Sequence, residues 1–392
     1  MKTQNPRLRF QIEKGVFLLG IQRAQGVTEK RSTAPIFSNV LLEGTTQGSG
    51  SKGQGEFKGQ ISIVATDLEI GIKGTYPARV HSEGGIAVSG KKLHEIIREL
   101  PEGEVDISVE DGKFLMIKSG NSFFKVAGSN KEDFPAFPEM SEENMVTIDS
   151  SIYREMIKKT LFAVADAEAR QALNGALLEI EQEGDKRARI RMVATDGHRM
   201  ALCERWVEIS QTAKQIILPK KTLLELRKFL EVNEGIKTGL GEKQISFKGE
   251  DVYLTSRLIE GNYPNYKQVI PPKGEQIVRI NRTHFMDVVR RVSVMSREKT
   301  RAILVEFSAG KAIFRARDPE IGEASEDIAI DYKGPGLTIG LNYQYLLDAL
   351  ESMEDEEVMM EMQTSLSPCV LKQESDPDSL SIVMPMRVQE ME

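Results

Sequence analysis

The sequence writes one phrase twice. "VATDLEIGIK" runs from Val64 to Lys73 and "VATDGHRMAL" from Val193 to Leu202, so Thr195 follows Thr66 by 129 positions. A period of that length is too long for a solenoid repeat and is the size of a domain. The surrounding text repeats in order. "VSGKKLHEIIRELPEG" and "FPAFP" follow the first phrase, and "LPKKTLLELRKFLE" and "YPNYKQVIP" follow the second. A fainter third copy consists of "IFRARDPEIGEASEDIAI", "LNYQYLLDALESM" and the closing "SLSIVMPMRV", with Arg317 standing 122 positions after Thr195. The repeat predicts three similar domains, at 1–140, 145–272 and 275–392.

Each copy divides again into halves in which a strand leads into a helix and alternating strands follow. "DISVEDGKFLMIKSG" predicts two strands joined at Asp111–Gly112, a hairpin signal. Leu223, Leu226 and Leu230 recur at helical spacing in "KTLLELRKFLEV". Strands outnumber helices, so the expected class is α+β with antiparallel sheet.

Composition narrows the function. Apolar residues make up 40% and charged residues 28% of the 392 positions, values of a globular protein. No apolar run reaches the length of a membrane span, and "MKTQNPRLRFQIEK" lacks an export signal core. Two cysteines, Cys203 and Cys369, form neither a disulfide framework nor a zinc spacing. These features predict a cytoplasmic protein. The net charge of −7 opposes bulk attraction to nucleic acid but permits a local basic surface.

Asp196, His198 and Cys203 resemble a catalytic cluster. Asp196–Gly197 is most simply a hairpin turn, and His198 and Cys203, five apart on a strand, face opposite sides. "GIAVSGKK" imitates a phosphate loop, but Lys92 stands where a Ser or Thr is needed, and the matching "IILPKK" has no glycine. No catalytic site, metal site or cofactor is expected. What does recur is a lysine pair at a helix start, Lys91–Lys92 and Lys220–Lys221. Helix stability does not explain it, because cations there oppose the helix dipole. Contact with a duplex backbone fits better than base stacking, since no aromatic residues interleave with the basic ones.

"VATDGHRMALCE", "LIEGNYPNYKQVIP" and "VMPMRV" together resemble the bacterial DNA polymerase III beta subunit family, the sliding clamps, and the resemblance runs the length of the chain. It implies three clamp domains per chain and two chains joined head to tail in a closed ring. Helices would line a central hole and antiparallel sheets would form the outside. It implies an activity without chemistry: the ring encircles double-stranded DNA without reading sequence and tethers the polymerase for processive synthesis. The DNA contacts it implies are Arg31, Lys91, Lys92, Arg170, Lys220, Lys221, Lys299 and Arg301. It implies a groove that takes a short linear motif from the catalytic subunit of DNA polymerase III, the clamp loader, other polymerases and repair proteins. The groove residues would be Leu173, Thr195, Gly197, His198, Arg199, Met200, Pro264, Val269, Asn342, Tyr345, Ile382, Val383, Met384, Pro385, Met386, Arg387 and Val388.

For the homodimer interface it implies edge strands near Leu115 to Lys118 (Leu115, Met116, Ile117) and Ile303 to Phe307 (Ile303, Val305), with Val294 and Met295 alongside. The sequence departs from the family pattern at Gln171 and Ala172, where tyrosines occur in relatives, and at Gln268, where arginine is common. It adds a glycine-rich stretch from Gly44 to Gly59 and a tail from Gln389 to Glu392. Two other classes stay open on the residues alone. One is a nuclease using Asp67, Asp196 or Asp318, which lie one per copy and so should not converge. The other is a sequence-specific DNA reader, for which no recognition-helix signature appears.

Overall fold

A strand, a helix and three more strands: this order occurs six times in the computed structural model, which describes residues 8–28, 35–46, 59–142, 145–209, 213–231 and 235–387. The first domain holds β1 (Arg9–Glu13), α1 (Lys14–Gln25), β2 (Asn39–Thr46), β3 (Gly59–Thr66) and β4 (Ile70–Ser82). It continues with β5 (Gly84–Ser89), α2 (Gly90–Glu99), β6 (Glu104–Glu110), β7 (Phe114–Ser119) and β8 (Ser122–Asn130). The second repeat begins with β9 (Met145–Asp149), α3 (Ser150–Thr160), β10 (Gly175–Glu183), β11 (Arg187–Thr195) and β12 (Arg199–Val207). Its other half is β13 (Lys214–Pro219), α4 (Lys220–Leu230), β14 (Gly235–Leu240), β15 (Gln244–Lys248) and β16 (Val252–Arg257). The third comprises β17 (Gln276–Asn281), α5 (Arg282–Ser293), β18 (Ala302–Ser308), β19 (Lys311–Asp318) and β20 (Gly322–Ala329). It ends with β21 (Leu337–Asn342), α6 (Tyr343–Glu351), β22 (Glu357–Met362), β23 (Cys369–Lys372) and β24 (Ser379–Val383).

Pairing follows one rule. The leading strand of each half bonds to the trailing strands of the other half, as in β5-β2-β3-β4, β13-β10-β11-β12 and β21-β18-β19-β20. Every ladder between these strands is antiparallel. Packing groups the chain into two compact units. One is Met1–Ser150 with Leu224–Arg257, and the other is Ser151–Leu223 with Leu258–Glu392. In the first, β4 bonds to β16, so that the eight strands of the first repeat and four of the second form one sheet. In the second, β12 bonds to β24 in the same way.

Helix starts follow from side-chain caps. Asn281 accepts from the His284 amide at 3.0 Å and Asn342 from the Gln344 amide at 2.9 Å. Helix faces follow the apolar spacing: Leu223, Leu226 and Leu230 of α4 are fully buried, and Phe285, Val288, Val289 and Val292 of α5 pack with Leu346, Leu347 and Leu350 of α6.

The repeated phrase is a turn built on an aspartate. In the first copy Asp67 Oδ1 accepts from the amides of Glu69 at 2.9 Å and Ile70 at 2.8 Å, and Thr66 Oγ1 donates to the Ile70 carbonyl at 3.0 Å. In the second, Asp196 Oδ1 accepts from His198 at 3.0 Å and Arg199 at 3.1 Å, and Thr195 Oγ1 donates to the Arg199 carbonyl at 2.6 Å. The third keeps part of the pattern, with Asp318 Oδ1 accepting from Glu320 at 2.9 Å. Asp196 is thus committed to its own turn. The position after the aspartate is left-handed in both full copies, Gly197 at φ 88° and Leu68 at φ 74°. Only glycine takes that conformation without cost.

The expected dimer-edge strands are corrected by the pairing. Leu115, Met116 and Ile117 lie in β7, which is bonded to β6 on one side and β8 on the other. Ile303 and Val305 lie in β18, flanked by β19 and β21. A strand bonded on both sides has no free amides or carbonyls to offer. Leu115, Ile117, Ile303 and Val305 are moreover fully buried in their own chain. Among the last strands of the halves, the ones left open are β8, over Ser122–Ala127, and β20. Met295 packs partly against its own core, while Val294 is 74% exposed.

Two predictions follow from these features. Leu68→Gly should stabilise the first repeat by about 1 kcal/mol and Gly197→Leu should destabilise the second by a similar amount, read by thermal unfolding. The second concerns Asp376, which receives Lys159 Nζ at 2.6 Å and Arg205 at 2.8 Å in a largely buried cluster. Burial pushes this carboxyl up, but hydrogen bonds from Arg205 and Lys159 outweigh it and hold the group below its usual range. Asp376→Asn should cost about 3 kcal/mol, because Arg205 keeps Glu155 but the buried Lys159 is left with that carboxylate only at 4.0 Å. A lowered carboxyl stabilises fully above the unfolded aspartate pKa of about 3.9 and loses that stabilisation as pH falls through the folded value. The stability difference between wild type and variant should therefore be constant from pH 5 to 7 and shrink below about pH 4.

Candidate functional site

The expected groove residues all belong to the second compact unit, except Val388, which lies outside the described residues. The β12–β24 ladder sets Arg199 opposite Val383 and Met200 opposite Ile382. Past β24 the chain continues alongside the turn: the Met384 amide donates to the His198 carbonyl at 2.9 Å, and the Met386 amide to the Gly340 carbonyl at 2.8 Å. The run from Ile382 through Pro385 to Arg387 is therefore stitched to β12 and to β21. Beneath it Met200 and Ile382 join Leu177, Val193, Leu202, Ile217, Tyr266 and Val370 in one apolar cluster, with Met384, Ala172, Ile259 and Tyr263 packed against it.

The rim is polar and aromatic. The His198 and Tyr345 rings stack at 6.4 Å between centroids. Asn342 caps α6 and so fixes Tyr345 at its first turn. The Arg199 guanidinium lies 4.4 Å from the Tyr345 ring centre and 5.5 Å from that of Phe162. It pairs with Asp196 at 2.9 Å and also with Asp348. Gly197 and His198 are exposed at the tip of the turn. Thr195, Pro264 and Met384–Met386 are partly exposed, as is Val269 at 40%, whereas Leu173 is buried in the short helical turn Gln171–Asn174. A partly exposed apolar floor with a few fixed polar groups suits an extended peptide.

The chemistry of catalysis is missing from the cluster the sequence made tempting. Cys203 is fully buried, and burial raises its thiol pKa to about 11, so it holds no thiolate near neutrality. No group of three or more potential metal ligands exists among the described residues.

The basic residues divide between the two compact units. Lys91 and Lys92 are exposed in the first turn of α2, where Lys92 pairs with Glu95 at 2.6 Å. In the other unit Lys220, at the start of α4, donates to Asp166 at 2.7 Å and to the Val164 carbonyl at 3.0 Å. Lys221 follows it, half-buried, while Arg170, Lys299 and Arg301 are exposed. Arg301 adopts φ 52°, and its carbonyl accepts from the Tyr343 amide at 2.9 Å. The third repeat starts its corresponding helix α6 with Tyr343 and Gln344, so the lysine pair occurs twice rather than three times. Arg31, most of the Gly44–Gly59 stretch and the Gln389–Glu392 tail lie outside the described residues.

Sequence reasoning missed Tyr263, Tyr266 and Asp348. The signal for the tyrosines was available: "YPNY" answers "FPAF" of the first copy, with a hydroxyl added at each ring. Tyr263 Oη accepts from the Thr195 amide at 3.1 Å, and burial raises its pKa, keeping it protonated.

Known proteins match along the whole chain. Family models for the DNA polymerase III beta subunit match in sequence order: the N-terminal domain at residues 8–138, the central domain at 147–265 and the C-terminal domain at 267–387. The beta sliding clamp of Pseudomonas putida is 36% identical over 385 residues, covering 97% of this chain and 100% of that protein. That of Escherichia coli K12 is 29% identical over 384 residues, covering 97% and 100%. A crystal structure of the DnaN sliding clamp from Pseudomonas aeruginosa bound to griselimycin superposes with a TM-score of 0.86 at 34% identity, covering 97% of this chain and 99% of that one. The DNA polymerase III beta subunit of Thermotoga maritima gives a TM-score of 0.86 at 26% identity, covering 97% and 99%. With all three of its domains matched in order, the chain belongs to the DNA polymerase III beta subunit family, the beta sliding clamps, which are processivity factors rather than enzymes.

Proposed function

We propose that two copies of this chain close head to tail into a ring around duplex DNA, with β8 of each meeting β20 of the other, and that the ring tethers the replicative polymerase through the groove bounded by Ile382–Arg387. The observation that carries this is the fate of the last strand of each half. β4 bonds to β16 and β12 to β24, in each case the last strand of a first half with the last strand of the next repeat's second half. By that rule β20 calls for the second half of a following repeat, and β8 for the first half of a preceding one. Neither lies within these 392 residues, and a second copy supplies both.

The side chains of β8 support the pairing. Ile107, Ile117 and Phe124 stand opposite one another across three strands, as do Val109, Leu115 and Val126. The stripe is buried on β6 and β7 and emerges on β8, where Phe124 is 36% exposed. An apolar core face that reaches an open edge needs a cover. Val294, 74% exposed at the end of α5, belongs to the repeat that carries β20 and is the other apolar group we assign to this interface.

The three repeats at 1–140, 145–272 and 275–392 act as successive segments of the ring. Its basic contacts, Arg31, Lys91, Lys92, Arg170, Lys220, Lys221, Lys299 and Arg301, meet phosphates and so carry no sequence information, which allows sliding. The groove receives a short linear motif from the catalytic subunit of DNA polymerase III, the clamp loader, and other polymerases and repair proteins, all in the cytoplasm.

Phe124→Glu and Val294→Glu should each shift the protein from dimer to monomer in sedimentation without lowering the unfolding midpoint of the subunit. A dimer resistant to both changes would put the interface elsewhere. Reversing Lys91 and Lys92 to Glu should weaken association with duplex DNA, most at low salt, and reduce the slope of log affinity against log salt by about 0.9 per lost phosphate contact. An unchanged slope would remove these lysines from the DNA surface.

A further inference from the structure

The two full copies of the repeat differ in one buried feature. In the first, Glu43 on β2 stands opposite Ser62 on β3, which stands opposite Thr75 on β4. In the second, the matching line is Glu179, Arg191 and Glu204 on β10, β11 and β12. Charged residues have replaced a serine and a threonine, and Glu179 is 2% and Arg191 9% exposed. Burying ions is costly unless every group is satisfied. Here each is: Arg191 donates to Glu179 at 2.8 Å and to Glu204 at 2.6 Å, and Gln215 donates to Glu179 at 2.7 Å.

The remaining partner is Tyr266. Its hydroxyl donates to Glu179 Oε2 at 2.5 Å and accepts from Arg191 at 3.1 Å. The first copy has Phe137 at this place, with no hydroxyl. The Phe137 ring lies over Gly71, 2.8 Å from where a Cβ would stand, and edge-on to Tyr253. The second copy has Met200 in the register of Gly71, opposite Thr195 as Gly71 is opposite Thr66. A ring therefore fills the floor position in the copy without a groove, while a methionine side chain occupies it in the copy with one.

Tyr266 also begins the turn that carries the groove wall. Its carbonyl accepts from the Val269 amide at 3.0 Å, and the Gln268 amide donates to the Asn265 carbonyl at 3.3 Å. Tyr263, three residues earlier, is fixed to Thr195. The segment bearing Pro264 and Val269 is thus pinned at two hydroxyls, one of them seated on a buried ion pair. We infer that Tyr266 is a positioning residue of the peptide groove, holding Pro264 and Val269 in the binding conformation through Glu179 and Arg191. This rests on the groove reading above and adds the device that pre-organises one wall.

The test uses the full-length dimer and griselimycin, the ligand of the Pseudomonas aeruginosa clamp structure, as probe. Tyr266→Phe keeps the ring and removes the hydroxyl. It should raise the dissociation constant about tenfold, mainly through faster dissociation, and speed amide exchange at Gln268 and Val269 in the free protein. Tyr253→Phe is the control: it removes a hydroxyl that accepts from the Met140 amide at 2.7 Å, within the other compact unit, and should leave binding unchanged. A Tyr266→Phe protein that binds griselimycin as tightly as wild type, or whose Gln268 and Val269 amides exchange no faster, overturns the inference. The exchange arm needs no ligand, so it succeeds or fails apart from the groove reading. Failure of wild type itself to bind griselimycin would defeat that reading instead.

Discussion

A β-strand bonded on one side only exposes a row of amides and carbonyls that must find partners or water. The architecture of this chain follows from how it disposes of such rows. Exchange of leading strands between halves gives four-stranded groups whose last strand is an open edge. Two pairs of those edges meet within the chain, β4 with β16 and β12 with β24. Two are left, β8 and β20, and they are of complementary type under the same rule. Whatever its number of repeats, a chain with this connection rule has one unmatched edge of each kind, which is the condition for head-to-tail association.

The repeats diverge where function differs. The aspartate turn is nearly the same in the first two copies, hydrogen bond for hydrogen bond, because it closes a hairpin and any change would cost the hairpin. What differs is what surrounds it. Ile70 in the first copy becomes Arg199 in the second, and with it come pairs to Asp196 and Asp348 and contacts with the rings of Phe162 and Tyr345. Gly71 becomes Met200, and Phe137 becomes Tyr266. In the reading proposed above, each change takes a position that is filled or apolar in the first copy and turns it into a groove floor, a rim or an anchor.

Local features were legible in the sequence and long-range ones were not. The Asp111–Gly112 turn and the leucine face of α4 rest on neighbours in the chain, and the structure has both. The repeat itself was readable because it is written in the same words. The edge strands were misread: Leu115–Ile117 and Ile303–Val305 carry the alternation of core strands, and alternation reports which face is buried, not which edge is open. The edge status of β8 depends on which strands reach it, and that is decided by the order of the whole sheet rather than by its own residues. Within the candidate site, Met200 and Ile382 could be named only through family resemblance, since their meeting requires the β12–β24 ladder. Glu179 and Arg191 read as ordinary strand charges. A carboxylate directly after the apolar "ALL" of β10 was the one sign that it sits inside.

The central claim is that retention on DNA comes from closed topology rather than from affinity. The direct measurement is to load the dimer onto a nicked circular duplex, isolate the complex at moderate salt, cut the circle once and follow the protein that remains bound. The account predicts stable retention on the circle, rapid loss once it is linear, and renewed retention when the linear ends are blocked. Equal retention on circular and linear DNA would contradict it, because a protein held by contacts alone does not notice whether its DNA has ends.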